Sequence, residues 1–166
     1  MRKIIQQICL LASLFTCTVA TGQSSLPTIN LKTINGISLP LKTVIETDSI
    51  VIINFWATWC VPCINEMDAI QEKLNDMAGD KPFRFIAIST DEARTVQRVK
   101  PMVKTKAWSF DFYFDESNEV KRAFNVSNIP FSLIISKGKI VYQHTGYVQG
   151  DEEILFEKIN QVAAGN

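Results

Sequence analysis

An apolar run, Ile50 to Phe55, leads into Trp59-Cys60-Val61-Pro62-Cys63, and the hydrophobic spacing changes there. Before the cysteines the apolar residues are continuous, as in a strand buried on both faces. After them Ile64, Met67, Ile70, Leu74 and Met77 recur every three or four residues, as on one face of a helix. The sequence therefore predicts a buried strand over 50–55 and a helix over 61–78 ending near Gly79. A Cys-x-x-Cys pair sits at the junction. The first turn of a helix carries unpaired N–H groups and the positive end of the macrodipole. A thiolate placed there is stabilised, so Cys60 is expected to be acidified and nucleophilic. Cys63 lies three residues on, on the same helix face, with Cβ atoms about 5–6 Å apart. A disulfide needs about 3.5–4.5 Å, which a small adjustment of the turn provides. Pro62 suits the first turn, where no N–H partner is needed.

The other cysteines, Cys9 and Cys17, fall in a stretch of different character. Arg2 and Lys3 are followed by a mostly apolar segment, Ile4 to Val19, and by the small residues Ala20-Thr21-Gly22. This reads as a secretory signal peptide over 1–22, cleaved before Gln23. The apolar stretch is short for a membrane span, which takes about 17–25 residues; an uncleaved anchor is the alternative. The expected mature chain, 23–166, keeps only Cys60 and Cys63, with 15 basic against 17 acidic residues, a net of −2. No basic excess points to nucleic acid or an anionic membrane surface. A zinc site needs four ligands, and the mature chain offers His144 and one cysteine pair. A disulfide spanning two residues adds little stability, because the stabilisation grows with loop length. The pair is therefore expected to be redox-active rather than structural, with no metal and no other cofactor.

The rest of the chain reads as one domain. Asn35-Gly36 between short apolar runs predicts an N-terminal hairpin. Phe83 to Ser89 is a second buried strand. Ser89-Thr90-Asp91-Glu92 has capping-box spacing and is expected to open a helix carrying Val96, Val99 and Val103, which Pro101 should kink or split. Phe110 to Phe114 is a short strand and 117–124 a short helix. Phe131 to Ile135 and Ile140 to His144 form a hairpin around Ser136-Lys137-Gly138-Lys139. Asp151 is placed to cap a last helix with Leu155, Ile159 and Val162 on its apolar stripe. The order of elements implies an α/β sheet with helices on both faces.

Asn54-Phe55-Trp56-Ala57-Thr58-Trp59-Cys60-Val61-Pro62-Cys63, with Glu66 three residues on, and Val126-Ser127-Asn128-Ile129-Pro130 followed by Gly138-Lys139-Ile140-Val141 and Gly146, carry a resemblance. The sequence resembles the thioredoxin fold, and looks most like the TlpA/ResA branch of exported bacterial thiol-disulfide oxidoreductases. The resemblance covers nearly all of 26–163. It implies a thioredoxin-like α/β fold, with a central mixed sheet flanked by helices, the N-terminal hairpin, and a strand–helix insert between residues 80 and 115. It implies that Cys60 attacks a substrate disulfide and that Cys63 resolves the mixed disulfide. It also implies that Pro130 is cis, although most X-Pro bonds are trans, and that the Ile129 backbone is exposed for strand-like pairing with substrate.

Asn54 stands where classical thioredoxin has a buried Asp, and it is expected to be a buried hydrogen-bonding residue under the site. Trp59 is expected to be exposed for substrate contact, whereas Trp56 fits the core or the site rim. Glu66 has two readings. An acidic residue early in a helix is favourable for dipole reasons alone, while the resemblance implies that it assists proton transfer near Cys63. His144 reads as a strand-end surface residue with no partner in view.

The expected function is an exported, periplasmic oxidoreductase that reduces protein disulfides and is recharged by a membrane electron donor. An oxidase or isomerase is the nearest alternative. A thiol peroxidase on a related fold expects Thr three residues before its cysteine and Pro four further back, where this chain has Ala57 and Ile53. A non-catalytic binding module is the remaining one.

Overall fold

The computed structural model describes residues 29–46, 50–77 and 81–165. The predicted signal segment and Gly79 lie outside them. Seven strands form one sheet: β1 (Asn30–Thr33), β2 (Ser38–Pro40), β3 (Ile50–Trp56), β4 (Arg84–Ser89), β5 (Asp111–Phe114), β6 (Phe131–Ser136) and β7 (Lys139–Thr145). Their order across the sheet is β2-β1-β5-β4-β3-β6-β7. The strands β3, β4 and β5 run parallel, while β6 and β7 on one side and β1 and β2 on the other are antiparallel additions. The helices are α1 (Leu41–Ile45), α2 (Val61–Asp76), α3 (Val99–Lys106), α4 (Glu119–Ala123) and α5 (Asp151–Ala164).

All seven residues of β3 are buried, and its two-residue period divides them between two cores. Ile50, Ile52 and Trp56 pack toward α2, α3 and α5 with Met67, Ile70, Val99, Leu155 and Ile159. Val51, Ile53 and Phe55 pack on the opposite face with Leu41, Val44 and Ile45 of α1 and Val120 of α4. Trp56 belongs to the first core, edge-on to Trp108 and Phe112. The parity that sends Ile52 and Trp56 toward α2 sends Asn54 there too.

Both predicted hairpins form. Gly36 adopts φ +85° in the first turn. Lys137 (φ 49°) and Gly138 (φ 74°) make the two-residue turn of the second, both left-handed as a type I′ turn requires.

One expected element differs. Ser89-Thr90-Asp91-Glu92 opens no helix. Ser89 ends β4, a single 3₁₀ turn covers Val96–Arg98, and α3 starts only at Val99. Pro101 thus lies in the first turn of α3, where its missing N–H has no intrahelical partner to lose. The Asp91 carboxylate, with the residue 1% exposed, accepts hydrogen bonds from the Thr58 backbone N–H (2.8 Å), Thr58 Oγ1 (2.6 Å) and Ser89 Oγ (2.9 Å). Side-chain tethering to the loop before Cys60 has replaced capping. Asp151 is likewise the first residue of α5 rather than its cap, a position taken by Gly150.

Since Ile52 is fully enclosed between the sheet and α2, Ile52→Ala is expected to cost about 2–5 kcal/mol in denaturant unfolding. Val141→Ala, on the exposed face of β7, is expected to stay within about 0.5 kcal/mol.

Candidate active site

At the carboxyl end of β3 the chain leaves the sheet at Trp56 and enters α2 at Val61, with Cys60 in the N-cap position in extended conformation (φ −91°, ψ 95°). The Cys60 carbonyl accepts the first helical bond, from Ile64 N–H at 3.1 Å, and its own N–H donates to the Ala57 carbonyl at 3.0 Å. Pro62 occupies the first turn. Cys60 and Cys63 are joined as a disulfide, with Cα atoms 5.3 Å apart. Cys63 is fully enclosed and Cys60 is 5% exposed, so the outer sulfur lies nearer solvent than the inner one. The neighbours Trp59 and Val61 are 60% and 65% exposed and form an apolar rim around it. The Ile129-Pro130 bond is cis, and it directly precedes β6, the strand paired to β3. Ile129 is half-buried and packs against both cores.

Beneath the disulfide lies a polar cluster. The buried residues of α2 are Cys63, Glu66, Met67, Ile70 and Leu74. Glu66 thus sits inside the apolar stripe, one turn after Cys63 and facing the sheet. The sheet presents Asn54 of β3 and Ser132 of β6, which are paired in register. Asn54 Nδ2 donates to Glu66 Oε2 at 2.8 Å and to Ser132 Oγ at 2.8 Å, and Ser132 Oγ donates to Glu66 Oε1 at 3.0 Å. No lysine or arginine balances the carboxylate within this cluster. Burial pushes the Glu66 carboxyl up from its ordinary 4.5 to about 7, against the lowering effect of the two hydrogen bonds. Its environment, not its place near a helix start, dominates its behaviour. The second buried anchor is Asp91, which fixes Thr58 two residues before Cys60.

Ser132, Asp91 and Thr58 are absent from the site predicted from sequence. Ser132 was detectable as a hydroxyl interrupting the apolar run Phe131 to Ile135. Asp91 was not, because the same residues carry a capping pattern. His144 departs from the expectation of a lone surface residue: its Nε2 lies 3.3 Å from Asp151 Oδ2, and its side chain is only one-third exposed. Among the described residues no group of three or more His, Cys, Asp or Glu side chains is arranged to hold a metal ion. No helix among them is long and apolar enough to cross a membrane.

A parallel core flanked by antiparallel strands, a disulfide-bonded Cys-x-x-Cys opening α2 and a cis-proline before the adjacent strand define a thioredoxin-like domain. Residues 23–149 match the AhpC/TSA family, and the chain belongs to it. It is 32% identical over 130 residues to the thioredoxin-like protein YneN of Bacillus subtilis, covering 77% of this chain and 73% of that one. It is 35% identical over 97 residues to the thiol-disulfide oxidoreductase ResA of Bacillus thuringiensis subsp. konkukian. That match covers 58% of this chain and 54% of ResA, so the chain spans about half the length of that relative. The solution structure of a thioredoxin-like protein from Porphyromonas gingivalis superposes with a TM-score of 0.73 at 38% identity, covering 84% of this chain and 92% of that one.

The Glu66 carboxyl makes stability pH-dependent in a definite sense. Below its ordinary 4.5, both folded and unfolded chains hold the proton. Between there and about 7 the folded chain keeps it and the unfolded chain loses it, so stability falls as pH rises and then levels off. The total loss is about 3 kcal/mol. Glu66→Gln stays neutral and escapes this loss. Its stability relative to wild type is therefore expected to rise from pH 4.5 to pH 7.5 in denaturant titrations.

Proposed function

We propose that this protein is an exported thiol-disulfide oxidoreductase that reduces disulfides in other proteins through the Cys60–Cys63 pair. The observation that carries the reading is the redox-capable pair at the start of α2 directly above a buried carboxyl that titrates near neutrality. In the reduced protein, Cys60 is the attacking thiolate, stabilised by the unpaired N–H groups of the first turn. Trp59 and Val61 give the substrate an apolar contact, and the Ile129 backbone beside Pro130 pairs with its extended segment. Cys60 displaces one sulfur of the substrate disulfide and forms a mixed disulfide. Cys63, the more enclosed thiol, then gives its proton to Glu66 and attacks Cys60 Sγ. The substrate leaves as a thiolate and takes up a proton, and the Cys60–Cys63 bond re-forms.

Asn54 serves both forms of Glu66. Its amide N–H₂ donates to the carboxylate, while its Oδ1, buried without a partner, is the acceptor a protonated Glu66 needs after the amide rotates. No cofactor is required beyond the cysteine pair. Residues 1–22 act as the signal peptide, the site works in the periplasm, and a membrane electron donor recharges the pair. What supports the export reading is the basic, apolar and small-residue order of those residues.

Insulin reduction tests the activity. Cys60→Ser is expected to abolish it, and Cys63→Ser to accumulate a covalent substrate adduct seen on non-reducing gels and by mass. Activity unaffected by Cys60→Ser would reduce the protein to a binding module. Peroxide is expected to be consumed no faster by the wild type than by Cys60→Ser, because Ala57 and Ile53 replace the Thr and Pro that a peroxidase site needs.

A further inference from the structure

A carboxyl enclosed between α2 and the sheet that rests as a carboxylate above about pH 7 must draw a proton from solvent before it can serve Cys63. A lateral way runs along the sheet. Ser132, whose Oγ bonds Glu66, lies directly opposite His144 in the β6–β7 register. Opposed residues point to the same face with Cβ atoms about 4.5–5.5 Å apart. His144 therefore stands beside the cluster on the side that faces α2 and α5. Asp151, at the start of α5, holds its Nε2 at 3.3 Å and accepts the Val148 N–H at 2.9 Å. The imidazole is one-third exposed to solvent, and it lies close enough to Glu66 for its charge to act on the carboxyl. The other titratable groups facing Glu66 are Tyr142 of β7, Tyr147 of the following loop, Asp151 of α5 and Cys63 of α2. Among side-chain types, imidazole is the one suited to taking up and releasing protons between pH 5 and 8.

We propose that His144, oriented by Asp151, is the group through which the buried Glu66 carboxyl exchanges its proton with solvent. The proposal rests on the reading of Glu66 as the proton carrier for Cys63. His144 acts through Glu66 and touches no reacting sulfur; it is a positioning and relay residue. When a dithiol such as dithiothreitol reduces the protein, its thiolate attacks Cys60 Sγ and the Cys60–Cys63 bond breaks. Cys63 leaves with its electron pair and takes the proton of Glu66. Above neutrality, where Glu66 rests as a carboxylate, protonated His144 supplies that proton beforehand and is itself reprotonated from water. The second thiol of dithiothreitol then releases Cys60, so the reagent is oxidised to its cyclic disulfide and the protein pair is reduced.

The test is single-turnover reduction of the oxidised full chain by excess dithiothreitol, followed by tryptophan fluorescence from pH 5.5 to 9 and normalised to the thiolate concentration. Wild type is compared with His144→Ala, His144→Gln, Glu66→Gln and the double variant Glu66→Gln/His144→Ala. Above neutrality His144→Ala is expected to slow reduction about tenfold, with recovery on adding imidazole. His144→Gln can keep a hydrogen bond to Asp151 but carries no proton, so it is expected to be equally slow. It keeps the test open should the alanine variant fold poorly. Glu66→Gln is expected to be slow without recovery, and the double variant no slower than Glu66→Gln. If Glu66→Gln is slow while both His144 variants match wild type, or if imidazole restores nothing, the relay is overturned and the role of Glu66 stands. If Glu66→Gln itself matches wild type, the underlying reading falls.

Discussion

The energetics of the site turn on one buried carboxyl. Placing Glu66 against a sheet, with two neutral hydrogen-bond donors and no cation in the cluster, is unfavourable for the charged form. Two residues make it tolerable. Asn54 and Ser132 come from adjacent strands in exact register, and each contributes a donor that a hydrophobic residue would not. The result is a group that changes charge near neutrality directly below a disulfide that must gain or lose protons when it is opened. The conversion of burial into proton affinity links the hydrophobic core to the chemistry.

The sheet supplies the geometry. β3 is enclosed on both faces and paired on both edges, so its last residues are fixed by two cores at once. The loop that follows is then pinned from the side by Asp91, which binds the backbone and hydroxyl of Thr58. Cys60 consequently enters α2 at a defined point, with Trp59 and Val61 turned outward and Cys63 inward. Accessibility is divided between the two sulfurs as an attack-then-resolve exchange requires.

Much of this arrangement was legible in the sequence, and the failures are physical. The change of period at Cys60 located the strand, the helix and the pair, because periodicity reports directly which face is buried. The hairpins followed from Asn35-Gly36 and Lys137-Gly138, where local turn chemistry decides the outcome. Trp56 stayed ambiguous because only the full sheet shows which core its parity selects. Glu66 read equally well as a helix-dipole residue, since its burial depends on how α2 rotates against β3. The helix expected at Ser89 to Glu92 failed because a residue 33 positions away, Thr58, offered Asp91 better partners than a helix start would have. His144 seemed isolated because Asp151 reaches it only after α5 folds back onto the sheet. Register and long-range polar contacts were the missing information in each case.

The central claim is that the Cys60–Cys63 pair is a reducing dithiol. Its most direct test is the reduction potential of the purified protein, obtained by equilibration with thiol buffers, alkylation and mass measurement. The account predicts a single two-electron transition of these two cysteines near the value of thioredoxin, about −270 mV. A potential near about −120 mV, at the strongly oxidising end, would mean that the pair donates disulfides rather than removes them, and would contradict it.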